Sequence, residues 1–103
     1  METRYFRTDA GRSQAEEFLA SLEPKYRQAI IADLFLMAQH GDKAPISRRP
    51  VVGYSPIWEL RTGGYRTMFV RIVDVFWVLH SCKKQDEKRG YELSWKRYQT
   101  LKR

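Results

Sequence analysis

Cysteine is almost missing. The chain of 103 residues holds one, Cys82, so no internal disulfide can form and no thiolate cluster can carry a structural zinc, a usage that fits a reducing compartment. A buried, inert thiol is the expected state. Histidine is nearly as scarce: His40 and His80 are distant and no Asp or Glu residues cluster, so the reading expects no metal and no cofactor. No Gly-rich phosphate loop with its lysine occurs and no serine has a nucleophile-elbow context, which removes the nucleotide-binding and Ser-His-Asp hydrolase classes. No apolar run approaches the roughly 20 residues that span a bilayer, and the first nine residues lack the apolar stretch of a signal peptide. The expectation is a soluble, cytoplasmic protein with no membrane partner. Acid is short as well. Twelve Asp and Glu against 19 Lys and Arg leave +7, a balance that favours polyanions through counterion release.

What the chain does have is aromatic and apolar surface in the amount one domain needs. Hydrophobic residues make up 43%, with three Trp, six Tyr and five Phe, enough for a single core over residues 1–103 and too little for two. Residues 3–8 mix β-branched and aromatic side chains before Asp9-Ala-Gly11 and predict a first strand. Ser13-Gln-Ala-Glu16 has capping-box spacing, and Ala15, Phe18, Leu19 and Leu22 then repeat as a helical stripe. Pro24 suits the first turn of a second helix whose face carries Tyr26, Ile30, Leu34, Met37 and Ala38, ending at His40-Gly41. Residues 42–50 lose periodicity and read as a loop. Residues 57–61, 65–73 and 75–80 form three β-rich runs broken at Thr62-Gly-Gly64 and Asp74, a meander, and Tyr91, Trp95 and Tyr98 or Leu101 could share one face of a short C-terminal helix. The fold class is α+β: N-terminal strand, helical hairpin, antiparallel three-strand meander and short helix, with the helices on one sheet face.

A site that binds or cuts nucleic acid needs cations for phosphates and flat side chains on which bases stack. The strand period puts Trp58 and Leu60 on one face and Glu59 and Arg61 on the other, setting an acid beside a base; this suits a catalytic pair or a solvent-exposed ion pair equally. Arg66 falls near Arg61 across the hairpin and Arg71 on the opposite face. Neighbouring guanidinium groups are tolerated where a carboxylate or phosphate sits between them, and the alternative is edge-strand solubility. Arg48 and Arg49 add charge in the crossing loop. Lys83 and Lys84 follow the last strand, and Lys96, Arg97 and Tyr98 lie on the terminal helix, where a solvated tail would look similar. His80 alternates with Val78 and Phe76 and could be packed, exposed or an acid or base.

Taken in order, Phe18-Leu-Ala-Ser-Leu22, Trp58-Glu-Leu-Arg61, Gly64-Tyr-Arg66, Val78-Leu-His80 and Lys83-Lys84 resemble the phage-derived branch of the RelE/HigB-like toxins over nearly the whole chain. The resemblance implies a RelE-like sheet carrying a helical hairpin. It also implies a metal-free, ribosome-dependent endoribonuclease in which the 2′-hydroxyl of the messenger RNA attacks the adjacent phosphate and the 5′-oxygen leaves. By the same resemblance, Arg61 and Arg66 stabilise the phosphate and transition state, Lys83 or Lys84 holds the backbone or protonates the leaving oxygen, and Glu59 serves as base. Arg48, Arg49, Tyr65, His80, Lys96, Arg97 and Tyr98 are the RNA-binding candidates, with Tyr65 stacking on a base or packing. His80-Ser-Cys82 leads into Lys83 one residue sooner than the family's usual form, so the lysine register is open. The implied partners are the ribosome, the message and a cognate antitoxin, often of the helix-turn-helix type. The rival functions are a ParE-like gyrase-poisoning toxin and a non-catalytic RNA-binding relative, because one scaffold hosts several activities.

Overall fold

The computed structural model describes residues 1–103 as β1 (Glu2–Tyr5), α1 (Gln14–Ser21), α2 (Pro24–His40), β2 (Ser47–Pro50), β3 (Trp58–Thr62), β4 (Tyr65–Ile72), β5 (Val75–Lys83) and α3 (Glu87–Leu101). One sheet runs in the order β1-β5-β4-β3-β2. All its pairs are antiparallel except β1 with β5, which are parallel because the whole helical hairpin and meander lie between them in the chain. The class is α+β, and the local signals that set it are those of the sequence. Ser13 caps α1 by accepting from the Glu16 N–H, and Pro24 opens α2. The β3–β4 turn needs a positive φ, which Gly63 supplies at 57°, and the β4–β5 turn places Val73 at 56°.

Three features depart from the sequence reading. Residues 47–50 are a strand: four residues ending in a proline pair only with β3, which is the edge position proline permits. The helices do not share one face. Ile30, Leu34 and Met37 of α2 with Ala15 and Leu19 of α1 pack on Leu60, Phe69, Phe76 and Val78. On the reverse face α3 lays Tyr91, Trp95, Tyr98 and Leu101 against Met68, Val70 and Leu79. The amphipathic stripe of α3 fixes that it is half-buried but not which face it covers. Finally, β5 is bulged: its register passes from Met68 opposite His80 to Phe69 opposite Val78, so Leu79 is an extra residue. The bulge reverses the alternation, and His80 points to the α3 face, away from Val78 and Phe76.

Beyond the end of β1, the backbone of Ser81 on β5 would lack a strand partner. The Gln14 amide supplies one, donating to the Ser81 carbonyl at 2.8 Å and accepting its N–H at 3.0 Å, which ties the start of α1 to the sheet. No helix is long and apolar enough to cross a membrane.

Candidate functional site

The α3 face of the sheet at its β2–β3–β4 end gathers charge around one carboxylate. Glu59 sits mid-strand in β3, opposite Arg49 on one side and Met68 on the other, while Arg61 stands directly opposite Arg66. All four charged side chains therefore share a face by strand parity. Glu59 is fully buried. Its Oε1 lies 3.0 Å from Arg61 Nε, 3.4 Å from Arg49 Nε and 3.8 Å from Arg66 Nε, and its Oε2 accepts the Tyr91 hydroxyl from α3. A carboxylate stripped of water is tolerable only with such partners, and three guanidinium groups can converge only around such a carboxylate. The anion foreseen between Arg61 and Arg66 is a side chain of the protein itself.

The three arginines are not equivalent. The Arg66 side chain is 7% exposed, its Nη1 donates to the Gly63 and Tyr65 carbonyls at 2.8 and 2.9 Å, and its Nε faces Glu87 Oε2 at 3.4 Å without a hydrogen bond. Arg61 and Arg49, at 32% and 54% exposed, turn their Nε toward Glu59 and remain partly open to solvent. They can donate to an anion arriving from outside. Glu87, partly exposed, borders a groove with Lys84, Gln85 and Lys88. Burial first, and then the hydrogen bond to Glu59, raises the Tyr91 hydroxyl above its ordinary pKa and keeps it a donor. Such a site can hold a phosphate between fixed guanidinium groups and stabilise charge that develops on it.

The other candidates are spread over the molecule. Arg48, opposite Leu60, lies on the reverse face, where its Nη1 donates to the Gly41 carbonyl at 2.9 Å. Tyr65 also faces the hairpin, with its ring 6.0 Å from Phe18 and 5.5 Å from Tyr26, so it packs. Lys83 pairs with Tyr65 and shares that face, whereas Lys84 borders the Glu87 groove. His80 is buried beneath α3, and burial, then the charges of Arg97 and Arg89, lower its pKa to about 4. Arg97 is an internal anchor: Nη1 donates to the Leu79 carbonyl and meets His80 Nδ1, both at 2.8 Å. Tyr98 rests on Trp95, and only Lys96 of that trio is exposed. Burial pushes the Cys82 thiol up to about 12, which removes it as a nucleophile. No three His, Cys, Asp or Glu side chains come together as a metal-holding group. Sequence reasoning missed Tyr91 and Glu87. Tyr91 reads as one more aromatic of a buried stripe, and its hydroxyl meets a residue 32 positions away, a relation only the tertiary fold creates.

The profile of a family described as Phage derived protein Gp49-like matches residues 17–97. No curated protein sequence matches the chain significantly. Among solved structures, the RelB-RelE antitoxin-toxin complex from Methanococcus jannaschii contains a chain that superposes with a TM-score of 0.65 at 10% identity, over 84% of this chain and 96% of that one. At that identity the likeness is one of fold.

Proposed function

Because the chain belongs to the phage-derived Gp49-like family, we propose that it is the toxin of a toxin–antitoxin pair and cuts messenger RNA on the ribosome. One observation carries the chemistry: two guanidinium forks that solvent reaches in part, those of Arg61 and Arg49, are held by a buried carboxylate. These forks take the non-bridging oxygens of the scissile phosphate and stabilise the charge that builds on them as the 2′-hydroxyl attacks. Arg66, Glu59 and Tyr91 are positioning residues. The base role that the resemblance implied for Glu59 passes to a carboxylate that solvent reaches, because both Glu59 oxygens are engaged and buried. In this reading Glu87 takes the proton of the 2′-hydroxyl and Lys84 gives one to the departing 5′-oxygen. The RelE neighbour was solved with its antitoxin, which supports an antitoxin as the partner here; a helix-turn-helix type follows from the family resemblance alone.

The experiment is induction of the wild type and Arg61→Ala in a bacterial host, with 5′ ends mapped on one reporter message with and without its start codon. The reading predicts growth arrest with new ends in the translated message only, and neither for the variant. Arrest without new ends would move the assignment to the gyrase-poisoning alternative.

A further inference from the structure

The hairpin face of the sheet carries a second concave surface, back to back with the Glu59 cluster. It is a pocket of about 390 Å³ lined by Asp42, Arg48, Trp58, Phe69, Arg71 and Phe76. Phe69 and Phe76 are buried and meet edge to face, with centroids 5.7 Å apart, as its apolar floor. Trp58 opens β3 and stays 39% exposed, whereas Trp77 and Trp95 are half-buried. Two guanidinium groups stand at the rim, each steadied by a backbone carbonyl: Arg48 by Gly41 at 2.9 Å and Arg71 by Val73 at 3.0 Å. The carboxylate nearest them, Asp42, is 3.9 Å from Arg71 with an 87% exposed side chain, so it neutralises little. The contrast with the first cluster is plain. There a buried carboxylate balances the arginines, whereas here two braced cations flank a half-exposed aromatic shelf with almost nothing to balance them.

A flat ring bearing an anionic oxygen complements that arrangement, because the indole offers a stacking surface and the remaining guanidinium N–H groups can donate to a phosphate. An acidic protein segment would satisfy the cations but gives no comparable use to the indole. The geometry points to a nucleotide subsite in which one base of single-stranded RNA stacks on Trp58 while Arg48 and Arg71 hold its phosphate. The inference rests on the RNA-cutting reading and adds where the strand runs outside the cut. Arg48 and Arg49 are consecutive on edge strand β2 and point to opposite faces, so the strand passes over that edge from one cluster to the other.

The test uses the whole chain and a short 2′-O-methyl single-stranded RNA, whose blocked hydroxyl prevents cutting, with binding read by fluorescence anisotropy at several salt concentrations. Trp58→Leu is expected to weaken binding roughly tenfold, and Trp58→Phe to recover most of it by keeping a ring. Arg71→Gln, a change at an exposed side chain that leaves the core intact, is expected to weaken binding and lower the salt slope by about one. Wild-type affinity in both Trp58→Leu and Arg71→Gln overturns the subsite. So does loss of antitoxin affinity in those variants with RNA affinity unchanged, which would make the pocket a protein-docking surface, and so does a wild type that fails to bind the oligonucleotide. Weakened binding in both variants alongside a wild type that cuts no message supports the subsite while the nuclease reading falls.

Discussion

Among single residues Glu59 matters most, because its one carboxylate organises a structural cluster and, in the proposed function, the arginines that take the phosphate. Glu59→Gln keeps the shape and removes the charge, leaving Arg66 buried beside an amide. Breaking a buried ion pair by deleting one partner costs about 3 kcal/mol or more, and urea unfolding should show a loss of that order. Tyr91→Phe removes the hydroxyl that donates to Oε2 and leaves the arginines in place, so it should cost about 2 kcal/mol, typical of a hydrogen bond to a charged group. Its RNA cutting should fall with its hold on Glu59. A neutral Glu59→Gln would mean the arginines are arranged by packing and not by charge. Much of this was legible at residue level: Trp58-Glu-Leu-Arg61 alternates as read, and Arg61 meets Arg66 across the hairpin. The burial of Arg66 was not, since the Gly63 and Tyr65 carbonyls that take its Nη1 lie in a turn whose geometry the sequence only outlines.

At the scale of elements, α3 is the part whose place the sequence left open and on which the site most depends. Its stripe of aromatics is plain in the chain, yet the face it covers follows from the approach of its backbone to β4 and β5 at Gly90. A Cβ there would stand 3.0 Å from both His80 Cδ2 and Met68 Cε and 3.2 Å from Cys82 Sγ. Gly90→Ala should therefore destabilise by about 1–3 kcal/mol through overpacking, against the gain in helix propensity expected at an exposed position. Thermal or urea unfolding decides the sign. The bulge at Leu79 brings His80 under the same helix, and no glycine or proline announces it. Because the folded chain holds His80 at about 4 against 6.5 in the unfolded chain, the unfolded state takes up a proton first as pH falls. Stability from the neutral ring is complete above pH 6.5 and is lost progressively toward pH 4, by an amount on the order of 3 kcal/mol at most. His80→Gln should flatten the acid slope of unfolding free energy between those values. The strand β2 was missed for a different reason, being four residues of Ser, Arg and Pro that carry no apolar alternation and exist as a strand only through β3.

For the whole molecule, the +7 charge is not spread evenly or left wholly to solvent. The last 21 residues, from Lys83, hold eight basic and three acidic side chains, yet Arg97 is spent within the fold and Arg66 is buried, so fewer cations reach a polyanion than composition implies. The logarithm of the affinity for single-stranded RNA should fall linearly with the logarithm of salt concentration, with a slope of roughly 0.7 per phosphate engaged. Arg97→Gln should alter stability more than that slope, whereas Arg49→Gln should do the reverse. The central claim is that a carboxylate-held arginine pair assists attack by the 2′-hydroxyl of a message. Its most direct test is the chemistry of the cut ends produced by the purified chain in a translating extract. Expulsion of the 5′-oxygen predicts a 5′-hydroxyl on the downstream fragment and a 2′,3′-cyclic phosphate on the upstream one, with neither formed by Arg61→Ala. Fragments carrying 5′-phosphates, or equal cutting by Arg61→Ala, would contradict the account.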